Sequence, residues 1–101
     1  MNSRLELQGI FEKMLGSRNV YFQPPESIKM SYPAIVYSID DIENAHADDS
    51  VYLSLKCYSV TLIDKNPDSA YLDLMAKMPK IRFSRYFSSE NLNHWNFSLY
   101  F

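Results

Sequence analysis

The sequence has little glycine, a single cysteine and no long apolar run, and each scarcity excludes a class of protein. With only Gly9 and Gly16 among 101 residues, it contains neither of the glycine-rich motifs that cradle nucleotide phosphates. Cys57 alone cannot form an internal disulfide, which favours a reducing compartment. No apolar stretch approaches the roughly 18 residues of a membrane span, and the charges near the amino terminus are atypical of a signal peptide. We therefore expect a cytosolic protein with no membrane partner.

The composition is that of a globular domain with extra aromatic residues. Hydrophobic residues make up 47% of the chain and charged residues 22%, which excludes a disordered or low-complexity protein. Aromatic residues reach 15%, more than a small two-layer core needs. The formal net charge of −2 argues against sequence-independent binding of nucleic acid by the whole surface. We expect one domain over residues 1–101.

Two helices are predicted. Ser3 and Glu6 match a capping box, and Gly16 follows the apolar pattern as a helix-ending residue, so the first helix is predicted over 3–15. Its predicted core face packs on the sheet and is formed by Leu7, Ile10, Phe11, Met14 and Leu15. The second helix is predicted over 69–77, because turn and cap residues precede it and Pro79 prevents its extension.

Strands are predicted where aromatic and β-branched residues form short runs. These runs cover 20–22, 34–39, 51–63, 81–87 and 95–101. In the last run a strict alternation predicts one apolar face, formed by Trp95, Phe97, Leu99 and Phe101. Within the third run the apolar phase shifts after Cys57, which indicates either a β-bulge or burial on both faces. The order of elements predicts an α+β fold, a single two-layer domain in which two helices pack on one face of a mainly antiparallel or mixed β-sheet.

The charges are segregated along the chain. Five of the twelve carboxylates lie in a ten-residue segment that the sequence predicts to be a polar loop, and the rest of the chain has ten cations against seven carboxylates. The acidic residues are Asp40, Asp41, Glu43, Asp48 and Asp49. They could ligate a hard cation, but the segment lacks the glycine and the final glutamate of an EF-hand, so we predict no metal site. The alternatives are a solvated loop or a contact between subunits.

A basic cluster complements the acidic segment. Its members, within nine residues and with no acid between them, are Lys77, Lys80, Arg82 and Arg85. Such a cluster is either an ordinary solvated surface or one side of an assembly contact. Acidic and basic surfaces at different places on one chain favour a head-to-tail contact, which closes into a ring when the rotation fits. The surplus of Tyr and Trp favours an interface too.

No catalytic set is convincing. Cys57 and His94 could form a nucleophile and a base, but Cys57 falls on the apolar phase of its predicted strand, where a thiol is usually inert. A small hydrolase or nuclease using Asp64, His94 and Arg85 is a weaker alternative, since these residues lie on separate elements. We predict neither an enzyme nor a cofactor.

Several segments together resemble a family of small proteins of tailed bacteriophages that join the head to the tail. The segments are YFQPP at 21–25, KMSYPAIVY at 29–37, YSVTLID at 58–64, NPDS at 66–69, NLNHW at 91–95 and LYF at 99–101. The resemblance covers most of residues 20–101. Among these neck proteins, the sequence looks like the tail terminators.

The resemblance implies a virion structural protein. Tail terminators are small α/β proteins that assemble as a hexameric ring, cap the tail tube and dock the tail to the filled head. The implied partners are further copies of the chain, the tail-tube protein, a head-completion or connector protein, and DNA that passes through the channel without specific binding. With such a channel implied, the acidic segment from Asp40 to Asp49 is a candidate for a ring contact or for the channel lining, where carboxylates repel DNA phosphates. The implied location is the neck of the virion, and the host cytoplasm during assembly. A connector or head-completion protein of the same neck, and a monomeric regulatory binding module, remain alternatives.

Overall fold

The first helix, α1, spans Arg4–Leu15. In the computed structural model, which describes residues 4–24, 29–47 and 50–101 but no side chains from 41 to 56, α1 ends before Gly16, as predicted. Gly16 has a φ of +68°, the left-handed conformation that glycine adopts at little cost. Leu7, Phe11 and Leu15 are buried, whereas Ile10 is 40% exposed, so its prediction as a core residue is wrong. Ser3 of the predicted capping box lies outside the described residues.

Five strands form one mixed sheet. They are β1 (Val20–Phe22), β2 (Ala34–Ala47), β3 (Ser50–Asp64), β4 (Ile81–Ser89) and β5 (Leu92–Tyr100), and their order in the sheet is β1-β2-β3-β5-β4. The short β1 pairs with β2 in parallel, and the other neighbouring strands pair antiparallel. With two helices, this confirms the predicted α+β class.

The second strand is longer than predicted. The strand predicted over 34–39 continues past Asp40 and Asp41 to Ala47, because β3 supplies antiparallel partners for it. The register with β3 shifts between Ile39 and Asp41, which makes Asp40 a bulge residue of β2, whereas β3 itself has no bulge after Cys57, so that alternative is wrong. Burial on both faces of β3 is confirmed near its end, where Leu62 and Ile63 are both buried.

The second helix, α2, spans Ala70–Ala76, close to its predicted bounds. Ser69 caps its amino end, because the Ser69 Oγ accepts a hydrogen bond from the Tyr71 backbone N at 3.3 Å. Met75 is fully buried, and it anchors α2 to the core. A two-residue turn, Glu90-Asn91, then joins β4 to β5, and both of its residues have positive φ, which suits the twist of a hairpin.

The core lies between the helices and one face of the sheet, called here the helix face. Alternate residues of β5 are buried in it, as predicted from their spacing: Trp95, Phe97 and Leu99. Tyr37 of β2 joins this core to α1, with its ring edge-on to that of Phe11 at a centroid distance of 5.4 Å. The packing of the core against α1 therefore places the opposite face of the sheet, called here the outer face, away from the helices.

A polar cluster is built into the aromatic core. The Tyr37 hydroxyl donates a hydrogen bond to Gln8 Oε1 and accepts one from Arg4 Nη1 at 3.4 Å. Burial raises the pKa of Tyr37, although the Arg4 guanidinium partly offsets the increase. Burial also raises the pKa of Tyr58, the neighbouring ring on β3. Both phenols therefore lose their protons at a higher pH than an exposed tyrosine does.

Candidate assembly surface

The open edge of the sheet at β4 is the most unusual surface of the described chain. Within the described sheet β4 pairs only with β5, so its other side offers backbone donors and acceptors to a further strand. All its residues after Ile81 are exposed. Three large aromatic side chains stand among them: Phe83 is 52% exposed, Tyr86 49% and Phe87 40%. Native sheets usually cover or shorten such an edge.

A β-bulge decides which side chains share a face of β4. Phe83 pairs with Phe97, but the next pairing joins Arg85 to Asn96, which leaves Ser84 as the extra residue. In a regular strand Arg82 and Arg85 would lie on opposite faces, because side chains alternate. The bulge places both arginines on the outer face.

On the helix face, β4 continues the aromatic layer of the core to the edge of the sheet. The Phe83 ring lies edge-on to Phe97 with the centroids 5.5 Å apart, and the Tyr86 ring lies 5.6 Å from that of Trp95. The Tyr86 hydroxyl also donates a hydrogen bond to Asn93 Oδ1. One side of each ring therefore packs on the core while the other is open to solvent.

On the outer face, a stacked group holds one of the arginines in place. The Phe87 and His94 rings stack with centroids 4.5 Å apart and an interplanar angle of 11°. The Arg85 guanidinium carbon lies 5.3 Å from the centre of the Phe87 ring, within range of a cation–π interaction worth about 0.5–1 kcal/mol at an exposed site. Such support limits the conformations open to the Arg85 cation.

A shallow depression adjoins these arginines. Its volume is about 400 Å³, and it is lined by Lys80, Ile81, Arg82, Ser98 and Tyr100. The Tyr100 backbone N donates a hydrogen bond to the Lys80 carbonyl oxygen at 3.1 Å, which fixes the start of β4 beside the end of β5. Two cations and two hydroxyl groups thus surround one concave surface, an arrangement suited to carboxylate oxygens.

The structure brings together most of the predicted basic cluster. Lys80, Arg82 and Arg85 belong to β4 or to the residue just before it, and all three are exposed. Lys77 is also exposed, but it is the C-terminal cap of α2 and belongs to the helix layer. We call Lys80, Arg82 and Arg85 the basic edge. Sequence reasoning missed the exposed aromatic residues around it, because an alternating aromatic strand gives the same pattern whether it is central or at an edge.

The predicted acidic loop is largely a strand. Asp41 and Glu43 belong to β2 and pair with residues of β3, and the exposed Asp40 is the bulge residue. Asp48 and Asp49 lie outside the described residues. Since β5 pairs with β3 only from Cys57 onward, residues 41–47 and 50–56 form a two-stranded ribbon beyond the main sheet. Seven residues at about 3.3 Å each give it a reach of about 23 Å.

A hydrogen-bonded cluster fixes the outer face between the ribbon and the basic edge. The Asn96 Nδ2 donates to Ser59 Oγ at 3.1 Å and to Thr61 Oγ1 at 3.0 Å. These bonds join β5 to β3 through side chains as well as through the backbone. The basic edge and the base of the ribbon are therefore carried on one hydrogen-bonded sheet.

The alternative catalytic residues are not brought together. Cys57 is buried and pairs with Tyr100, whereas His94 pairs with Ile63, about 20 Å farther along β3 at 3.3 Å per residue. Asp64 pairs with Asn93, next to His94, so its side chain lies on the helix face while that of His94 lies on the outer face. The Asp64 carboxylate instead accepts a hydrogen bond from the Asn66 backbone N in the turn after β3.

The described residues form neither a metal-binding group nor a membrane-spanning helix. Within the described residues, no group of three or more His, Cys, Asp or Glu side chains is placed to hold a metal ion. Among the described helices, neither has the length and apolar character needed to span a bilayer.

Comparison with protein-family models gave no match to this sequence, and comparison with curated proteins gave none either.

Proposed function

We propose that this protein is a structural subunit of the neck of a tailed bacteriophage, a tail terminator that assembles into a ring, caps the tail tube and docks the tail to the head. The observation that carries the proposal is the open β4 strand with its half-exposed aromatic rings. A surface of this kind suits burial against another protein chain, because aromatic side chains add large contact area at a small cost in conformational entropy.

A second feature supports assembly through unlike surfaces. The basic edge lies at one side of the sheet, whereas Asp40 belongs to the base of the ribbon and Asp41 and Glu43 to the ribbon itself. Contact between two different surfaces generates a ring or an open helix, whereas a symmetric dimer uses the same surface twice. The sequence resemblance to tail terminators favours the ring, and it is the basis for the hexamer and for the phage origin.

The proposed mechanism is mechanical. A closed ring placed on the last turn of the tail tube covers the surface on which another tube subunit would bind, and thereby stops elongation. Its other side then offers a docking surface to the head. Carboxylates that remain near the channel would repel DNA phosphates and keep passing DNA from adhering.

The test is the mass of the purified protein, measured by mass photometry alone and again with its tail-tube protein. We expect a single closed oligomer, six copies by the resemblance, and density at the tube ends in electron micrographs. A monomer under both conditions would contradict the proposal. An oligomer that leaves tube length unchanged when added during tube polymerisation would contradict the terminator function.

A further inference from the structure

The basic edge is complementary in charge to a segment of the same chain that lies at a different place in the fold. From Ile81 to Phe101, the two strands that form this edge contain one carboxylate, Glu90, in the turn at the far end of β4. From Asp40 to Asp64, the ribbon and its base contain one cation, Lys56. Each surface therefore carries charge of nearly one sign, which is the condition for electrostatic pairing between copies.

The ribbon also has the reach for a contact between copies. It extends about 23 Å past the last residues that β5 covers, and the long axis of the molecule is 51 Å, against 24 and 23 Å for the others. A protrusion of this length can cross the boundary between neighbouring subunits. Within one subunit it starts from the middle of the sheet, whereas β4 forms the outer edge.

The receiving surface has a defined shape. Lys80 and Arg82 border the depression of about 400 Å³, and Arg85 lies farther along the same face, supported by the Phe87 ring. Arginine guanidinium groups bind carboxylates through two parallel N–H donors, and lysine adds a point charge. The basic edge thus offers several carboxylate positions along a line.

We propose that the acidic ribbon of one copy docks on the outer face of β4 in the next copy, so that the ribbon segment from Asp40 to Glu43 meets the basic edge formed by Lys80, Arg82 and Arg85. This inference rests on the proposed function, because it names the contact that closes the ring. The contact is head-to-tail, and each copy uses its ribbon once and its basic edge once.

A charge exchange between two variants tests the contact. In the Arg82→Glu/Arg85→Glu variant the basic edge becomes net acidic, and in the Asp41→Lys/Glu43→Lys variant the proposed contact positions 40, 41 and 43 become net basic. We expect each variant alone to self-associate at least about tenfold more weakly than the wild type, because like charges would meet in the contact. In an equimolar mixture, the unchanged acidic ribbon of the Arg82→Glu/Arg85→Glu variant meets the unchanged basic edge of the Asp41→Lys/Glu43→Lys variant. The ribbon with the two added lysines likewise meets the edge with the two added glutamates. The mixture should regain the wild-type oligomer mass.

The Lys13→Glu/Lys65→Glu variant is a matched control for the first variant, since it makes the same change in net charge at two exposed positions outside both surfaces. It should assemble as the wild type does. Circular dichroism of each variant checks folding, and restoration by mixing requires that both variants are folded.

The outcomes separate the contact from the function. If the wild type forms an oligomer and each variant also assembles alone, the proposed contact is wrong, although the proposed ring is not. The same conclusion follows if the mixture of the two variants stays dissociated. A wild-type monomer would overturn both. The same cations could instead bind DNA phosphates, so binding to a fluorescent duplex is measured in parallel. Loss of duplex binding in Arg82→Glu/Arg85→Glu with assembly unchanged would overturn the contact in favour of a nucleic-acid surface.

Discussion

Phe97 and Phe83 face each other across β4 and β5, and replacing each with alanine should have very different costs. Phe97 is 2% exposed and lies inside the core, so Phe97→Ala removes a fully buried ring and leaves a cavity. Such changes cost about 3–5 kcal/mol of unfolding free energy. Phe83 is half exposed, and its ring buries about 100 Å² of the roughly 200 Å² available to a phenylalanine. At about 25 cal/mol per Å² this area corresponds to about 2.5 kcal/mol, and since the alanine methyl group keeps part of it buried and no closed cavity forms, we expect Phe83→Ala to cost about 2 kcal/mol.

Urea unfolding followed by fluorescence measures both costs. Trp95 is the single tryptophan and is buried, so its emission reports the loss of this core. Assembly adds stability that depends on protein concentration, and the midpoints are therefore compared at a dilution where they no longer change. A double variant isolates the edge-on contact between the rings, which we expect to contribute about 0.5–1.5 kcal/mol.

Equal costs for the two variants would refute the reasoning, since they would mean that Phe83 is as buried as Phe97 in the isolated chain. A negligible cost for Phe97→Ala would mean that the Phe97 ring, and with it this part of β5, does not belong to the core. If Phe83→Ala leaves stability nearly intact but weakens self-association, the exposed ring contributes to the contact between copies.

Three further predictions concern the backbone and the buried phenols. Ser69→Ala should lower the unfolding free energy by about 1 kcal/mol, because Tyr71 N loses its hydrogen-bond acceptor at the start of α2; urea titration measures it, and Ser69→Asp should retain most of the stability. Gly16→Ala should cost about 1 kcal/mol through its positive φ, although an added Cβ would contact nothing within 4 Å, and Gly16→Asn should cost less in the same assay. Folded Tyr37 and Tyr58 have raised pKa values, so their contribution to stability is complete below the ordinary pKa of 10.0 and is lost as the pH rises above it. Melting temperatures should fall above that pH in the wild type and fall less in the Tyr37→Phe/Tyr58→Phe variant; equal slopes would contradict the assignment.

Local patterns predicted much of the helix and strand content. The first helix and its end at Gly16 followed from apolar spacing and a helix-ending glycine, and α2 followed from its cap at Ser69. The alternation from Trp95 to Leu99 predicted both β5 and its buried face. In each case, the signal depends on residues near one another in the sequence.

Tertiary pairing explains what the sequence pattern missed. Asp40 and Asp41 are turn-favouring residues, but β3 provides a partner strand that outweighs their low β propensity. The exposure of Ile10 depends on how far α1 is rotated about its own axis over the sheet. The spacing of apolar residues does not define this rotation closely enough to distinguish Ile10 from the buried residues of the same helix. The bulge at Ser84, which sets the composition of the basic edge, depends on the pairing of β4 with β5. The charge clusters were visible in the sequence, and their relative placement was not.

The order of the strands has a consequence for synthesis. The last strand of the sheet in sequence, β5, lies between β3 and β4. On the ribosome, β3 can pair with β2, but the side of β3 that faces β5 stays unpaired, and so does β4, until β5 has left the exit tunnel. The sheet is therefore completed only when β5 inserts between two strands that were translated before it. A nascent chain arrested before Leu92 should accordingly bind chaperones that recognise extended aromatic segments, and release should follow translation of the final hairpin.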